Sequence, residues 1–242
     1  MSNIYPIPSG IENVLVYIVN FKDDLRRKRM IERFQTVGMS INFVPPVLVE
    51  DSRIKDLDSR LDKRTCCVML QHMDSIKHFY MYSDCEYCIV GEDDVLLSKY
   101  FKRDLPEVIK NFKTLELDLL LLGYMFSHKI YNTYFPVKHG FYSYNEYPND
   151  IWGSQLYMIS RKQAKFLLDK YTIQFAIDHL GEDASPDKMF FSPDWSLTKE
   201  GNRAVLIPML AMEEGNVKND DWSQNVFHKE SFDANYVPDI YI

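Results

Sequence analysis

Glycine is scarce in this chain, nine residues in 242, about half of the ~7% that soluble proteins average. The glycine-dependent phosphate loops GxGxxG and Walker A are absent, as is the GxSxG serine elbow, which removes dinucleotide-binding, P-loop and serine-hydrolase readings together. No apolar run approaches a membrane span; the longest candidate, 117–126, is broken by Asp118. The opening MSNIYPIPSG has neither the basic start nor the apolar stretch of a signal peptide. Cysteines are few, at 66, 67, 85 and 88, and too close together to staple distant loops, so the expected compartment is reducing and cytoplasmic. Basic residues thin out toward the C-terminus, where the last seventy residues hold 5 Lys/Arg against 13 Asp/Glu. No groove of clustered basic residues is visible to replace phosphate counterions, which sets nucleic acid aside as a partner.

What is present fits one globular domain over residues 1–242. Apolar residues make up 46% and charged residues 26%, and no repeat or linker divides the chain. Val14 to Val19 is a continuous β-branched run, the pattern of a strand buried on both faces. Asp23 and Asp24 then open a helix that Gly38 stops. The segment 41–49 reads as a second strand, bent by Pro45 and Pro46. Apolar residues recur at helical steps from Thr65 to Tyr82, followed by a strand at 87–91, a helix over 99–112 and a strand at 117–122. After irregular, Tyr-rich residues 124–150 come a strand at 155–159, an N-cap at Ser160 and a helix over 161–171. Beyond Thr172 the chain reads as acidic and loop-like, with a strand at 204–207. Its tail, about 216–242, is expected to fold back, anchored by Trp222, Phe227, Phe232 and Tyr236. Alternating strands and helices predict an α/β fold with a mostly parallel, Rossmann-like sheet flanked by helices.

Glu92-Asp93-Asp94 ends the predicted strand at 87–91, at the sheet edge where ligands bind in open α/β folds. Strand alternation would send 92 and 94 to one side and 93 to the other. The triplet reads either as a solvated acidic turn or as a set of hard oxygen ligands for a divalent cation. His228 can add a nitrogen ligand if the tail folds back. His72 and His78 are at i, i+6 and do not form a helical metal pair. Cys85 and Cys88 read as structural, lacking a second pair at zinc-site spacing. The run Arg26 to Arg29 is either a solvated face or a set of forks for an anion. Asp178, Asp183, Asp187 and Asp194 are candidates for proton abstraction; Asp194, between Pro193 and Trp195, suits either a general base or a helix N-cap.

Taken together these residues resemble a known family. VYIVNFKDDLRRKRM is similar to the "INL, several residues, RR, M" opening of glycosyltransferase family 25, which includes lipooligosaccharide and collagen hydroxylysine galactosyltransferases. Leu70-Gln71-His72 stands at the family's Leu-Ser-His, with Gln71 in the serine's place. CIVGEDDVLL resembles its "ILEDDV" strand, and GSQLYMISRKQA its "G-(S/T)-x-x-Y-x-(I/L)-S-x-x-(A/G)-A" block. The pieces lie in order over roughly 14–215.

The resemblance implies a GT-A type fold and transfer of a hexose from a UDP-sugar, UDP-galactose or UDP-glucose, to a glycan or hydroxylated peptide. It implies a divalent metal, Mn²⁺ or Mg²⁺, at a DxD-type motif formed by Glu92, Asp93 and Asp94, with Asn20 and Arg27 near the donor nucleotide. The family's "Asp-x-x-Leu" place can be filled by Asp178 or Asp194, and the spacing to Pro208 favours Asp194 as the base of an inverting displacement. The departures at Gln71 and over 178–200 keep a catalytically inactive, GT-A-fold binding protein as the alternative.

Overall fold

The computed structural model describes residues 5–126, 137–139, 141–147, 149, 151–179, 190–215 and 222–242. Its elements are β1 (Val14–Val19), α1 (Asp24–Thr36), α2 (Lys63–Tyr82), β2 (Tyr87–Glu92), β3 (Val95–Leu97), α3 (Phe101–Thr114), β4 (Leu119–Met125), β5 (Val137–His139), β6 (Tyr142–Asn145), β7 (Trp152–Ser160), α4 (Arg161–Lys170), α5 (Ile173–Asp178), a π-helical turn (Pro193–Leu197), β8 (Arg203–Ile207), β9 (Ala211–Glu213) and α6 (Trp222–Asn235).

Seven strands form one sheet in the order β1-β2-β7-β4-β8-β6-β5, while β3 pairs with β9 in a separate ribbon. The α/β class holds, but the expectation of a mostly parallel sheet is corrected to a mixed one. Among the described strands only β1·β2 and β4·β8 are parallel; β2·β7, β4·β7, β6·β8 and β5·β6 are antiparallel. Among the described residues no helix separates β4 from β7, and a strand that returns without a crossover helix comes back antiparallel. β7 is consequently wedged between β2 and β4, its residues 153–159 all buried.

Period-two alternation sets the layers. Leu15, Tyr17, Val19, Cys88, Val90 and Tyr157 face a core closed by the apolar stripes of α2 and α4. Their neighbours Val14, Val16, Ile18, Ile89, Leu156 and Met158 face the opposite core, filled by Met30 and Phe34 of α1 and Phe101, Leu105, Val108 and Phe112 of α3. Both faces are covered, which is why these strands read as unbroken apolar runs. Asp23 caps α1 through the Arg26 amide (2.9 Å), and Gly38 follows it at φ +74°. Asp62 caps α2 and Ser160 caps α4.

Three expectations change. Residues 41–49 form no strand: a single parallel bridge joins Asn42 to Tyr17, and the adjacent prolines supply no ladder donors. The C-terminal part is more helical than loop-like, through α5 and α6. Trp222 is no anchor, being 78% exposed. Instead the chain end is tied to β3 by paired backbone hydrogen bonds between Leu97 and Ile242, with Tyr241 buried. No helix among the described residues is long and apolar enough to cross a membrane.

His72, on the buried face of α2, is fully enclosed, its Nδ1 3.0 Å from the Tyr157 hydroxyl. Burial holds its pKa down at about 3. An unfolded histidine takes a proton near pH 6.5, so between pH 6.5 and 3 the unfolded chain binds more protons and folding stability falls as pH is lowered. The His72→Gln variant is expected to lack this component. Denaturation curves across that window should differ from wild type by a slope of up to about 1.4 kcal/mol per pH unit; parallel curves would contradict it.

Candidate active site

The carboxyl ends of β1 and β2 lie side by side, in register from Val14↔Tyr87 to Val19↔Glu92. β2 stops at Glu92, residues 93 and 94 turn, and β3 leaves from Val95. The turn overrides strand alternation and splits the triplet differently from the sequence expectation. Glu92 points toward β7, where the Ser154 hydroxyl donates to its Oε1 (2.5 Å), whereas Asp93 and Asp94 both reach α1.

Asn20, just past β1, is 5% exposed and donates from Nδ2 to Asp93 Oδ2 (2.5 Å) and to the Asp23 carbonyl (2.9 Å). Its own carbonyl accepts from Gln71 Nε2 (2.9 Å), so the glutamine is a spacer supporting the site from α2. Arg26 Nη1 lies 3.0 Å from Asp93 Oδ1 and 3.3 Å from Asp94 Oδ2. Arg27 is turned away from these carboxylates, exposed, with its guanidinium 3.9 Å over the Phe43 ring. Helical spacing explains the difference: Arg26 precedes the buried Met30 and Phe34 by four and eight residues and so shares their inward stripe.

β9 brings a second acidic pair, through the register Val95↔Glu213 and a hydrogen bond from the Glu214 amide to the Asp94 carbonyl (2.9 Å). Glu214 pairs with Arg29 (3.5 Å) and closely with Arg33. Glu213, 5% exposed, faces His228 of α6, with Oε2 3.4 Å from Nδ1 but without hydrogen-bond geometry. The tail thus folds back and carries His228 to the site. Asp94 Oδ1, both Glu213 carboxylate oxygens and His228 Nδ1 are buried without a hydrogen-bond partner. Burial, with Glu213 adding repulsion, pushes the Asp94 carboxyl up to about 7. Glu92 is raised well above the carboxylate range by burial and then by Asp94 and Asp194.

Asp194 opens the π-helical turn, but its side chain does not cap it. Oδ1 accepts the backbone amides of Gly153 (2.8 Å) and Ser154 (2.9 Å), tying the turn to β7 beside Glu92. Asp178 is not brought here; it is exposed on α5 and accepts from Gln174. Asp183 and Asp187 lie outside the described residues. Trp152 gathers Trp195, Phe227 and His228 around it at ring separations of 6.1, 5.6 and 6.4 Å. The four cysteines are free thiols. A cleft of about 250 Å³ between residues 44–53 and the second half of α2 shares no lining residue with this site.

Among the described residues no three His, Cys, Asp or Glu side chains converge as a ready-made metal centre. The donor chemistry still fits a hard divalent cation: carboxylate oxygens on Asp94 and Glu213 and an imidazole nitrogen on His228 are buried without a hydrogen-bond partner, and the two carboxylates repel each other. The sequence pointed to Arg26 only within the run Arg26 to Arg29 and to Ser154 only within the GSQLYMISRKQA block, and it gave no sign of Arg33, Glu213 or Glu214. Arg26 was legible from its spacing to Met30 and Phe34, but the glutamates join the site only through the β3–β9 pairing.

No curated protein matches the chain. A solved structure described as "Crystal Structure of A197 from STIV" aligns with TM-score 0.42 and 11% identity over 81% of each chain, too loosely to carry an argument. Residues 75–181, which include Glu92 to Asp94 and Ser154, match the family model described as Glycosyltransferase family 25 (LPS biosynthesis protein). This match bears out the family that the sequence resembles, glycosyltransferase family 25, and with it supports a glycosyltransferase, which requires a sugar donor and an acceptor.

Proposed function

We propose that the protein moves a hexose, galactose or glucose, from a UDP-sugar to a hydroxyl of a glycan or hydroxylated peptide, in a metal-dependent, inverting displacement on a GT-A type scaffold. The observation that carries this reading is the set of buried, unpartnered donor atoms on Asp94, Glu213 and His228 beside the Glu92-Asp93-Asp94 turn. Mn²⁺ or Mg²⁺ held by these residues would neutralise charge on the departing diphosphate.

The protein's own groups supply the rest. Asn20 fixes Asp93, and Glu92 is oriented by Ser154. Arg27, exposed over Phe43, is available to the donor nucleotide. Two amides hold Oδ1 of Asp194, leaving Oδ2 to take the acceptor hydroxyl's proton as that oxygen attacks the anomeric carbon and the diphosphate leaves from the opposite face. The Trp152–Trp195 corner offers an aromatic wall for a sugar ring.

A thermal-shift panel of UDP-, GDP- and CMP-sugars with and without Mn²⁺ tests the donor. A donor at a hundredfold excess over Kd stabilises by about 2.7 kcal/mol, and a Mn²⁺-dependent response to UDP-sugars is expected. Binding without transfer or hydrolysis would instead favour the inactive binding protein. Asp194→Asn keeps an acceptor for both amides but removes the base; transfer should fall by roughly 10² to 10⁴-fold with the UDP shift retained. Undiminished transfer in that variant would remove Asp194 from the mechanism.

A further inference from the structure

The inward face of α1 presents Arg26, Arg29 and Arg33 to the carboxylates of the β2–β3 turn and β9. Two of the three are committed to Glu214. Arg26 is different, because its one Nη1 group bridges Asp93 and Asp94, the residues the function needs for a cation. A guanidinium is a five-donor fork suited to phosphate oxygens, yet here it serves as the counter-charge of two acids. Of the carboxylates on the turn and β9, the arginines pair with Asp93, Asp94 and Glu214, while Asp94 Oδ1 and both Glu213 oxygens have no hydrogen-bond partner. A divalent cation would supply the partner that these buried oxygens lack. A cation held by Asp94 and Glu213 would compete with Arg26 for the Asp94 carboxylate. The Arg26 side chain is one-third exposed, in the first turn of α1, and so has room to leave.

Resting on the glycosyltransferase reading, we propose that Arg26 is a phosphate-binding residue held in reserve: it pairs with Asp93 and Asp94 while the site is empty and turns to the donor's diphosphate once a cation takes its place. Cation and diphosphate binding are thereby ordered, since an anion arriving first meets an arginine already engaged by two carboxylates.

The experiment measures two affinities separately in wild type, Arg26→Gln and Arg26→Lys: Mn²⁺ alone, by the electron paramagnetic resonance signal of the free ion, and UDP at saturating Mn²⁺, by calorimetry. Circular dichroism checks folding. Arg26→Gln is expected to bind Mn²⁺ as tightly as wild type or more tightly, while UDP affinity falls at least about tenfold, the loss of one or two charge-assisted hydrogen bonds. Arg26→Lys, which keeps the counter-charge, should fold even where Arg26→Gln does not, and should recover part of the UDP affinity. If both variants bind UDP like wild type, Arg26 does not meet the phosphates and the inference fails while the donor reading stands. Weaker binding of both Mn²⁺ and UDP makes Arg26 a structural prop and equally overturns it. Failure of wild type itself to bind UDP with Mn²⁺ removes the donor reading and this inference with it.

Discussion

Replacing Asp94 by Asn is expected to cut sugar transfer by well over 100-fold while leaving the fold as stable as wild type or more so. Groups that merely support a metal ligand cost about 10–100-fold when removed, and Asp94 is proposed as a ligand itself, with a buried oxygen that has no other partner. The expected stability follows from the same surroundings. Burial and the nearby Glu213 both disfavour the Asp94 charge, and Asn fills the same volume without it. The variant loses one leg of the Arg26 pair, but Asp93 keeps the other at 3.0 Å. Removing a repelled charge at constant shape is near neutral or favourable. Transfer assays and a thermal melt read the two effects independently. Retained transfer would exclude the carboxylate turn as the catalytic centre, and a large drop in melting temperature would make Asp94 a structural residue instead.

The largest expected loss of stability comes from a single methyl group. A Cβ on Gly91 would stand 2.4 Å from Leu156 Cδ1 and 2.5 Å from the Gln155 carbonyl oxygen. The Leu156 side chain can turn aside, but the carbonyl belongs to β7, the strand that pairs with both β2 and β4. Relief therefore requires the β2–β7 ladder to open, and Gly91→Ala is expected to lose about 3 kcal/mol, the upper end of ordinary overpacking. That is more than a hundredfold in the folding equilibrium. Because the ladder also sets Glu92 beside Ser154 and Asp194, donor binding should weaken even where the variant remains folded. Chemical denaturation measures the first effect and a UDP thermal shift the second; a denaturation midpoint equal to that of wild type would contradict the packing argument.

Local chemistry made much of this molecule legible. The β1 and β2 runs, the Asp23 and Ser160 caps, the Gly38 stop and the α2 stripe each follow from residues a few positions apart. The acidic triplet was visible for the same reason, as three like charges at a strand end. Its internal arrangement was not. Alternation along an extended chain would have paired Glu92 with Asp94, but the strand ends at Glu92 and the turn sends Asp93 and Asp94 together to Arg26. The arginines of α1 divide in the same way: helix phase, set by Met30 and Phe34 against the sheet, brings Arg26 to Asp93 and Asp94, while Arg27 lies over Phe43.

By itself, then, the sequence determined the α/β character, the position of most helices and strands and the carboxylates at the end of β2, and its family resemblance pointed to a glycosyltransferase. Tertiary structure alone decided that β7 runs antiparallel between β2 and β4 and places Gly153 and Ser154 against Asp194. It also decided that Glu213 and His228, 119 and 134 residues beyond Asp94, are buried near the carboxylate turn with atoms that have no hydrogen-bond partner. The division has one physical cause. Propensity, capping and alternation act over a few residues along the chain, whereas strand pairing and charge compensation act through space and can be read only where the chain has brought its distant parts together.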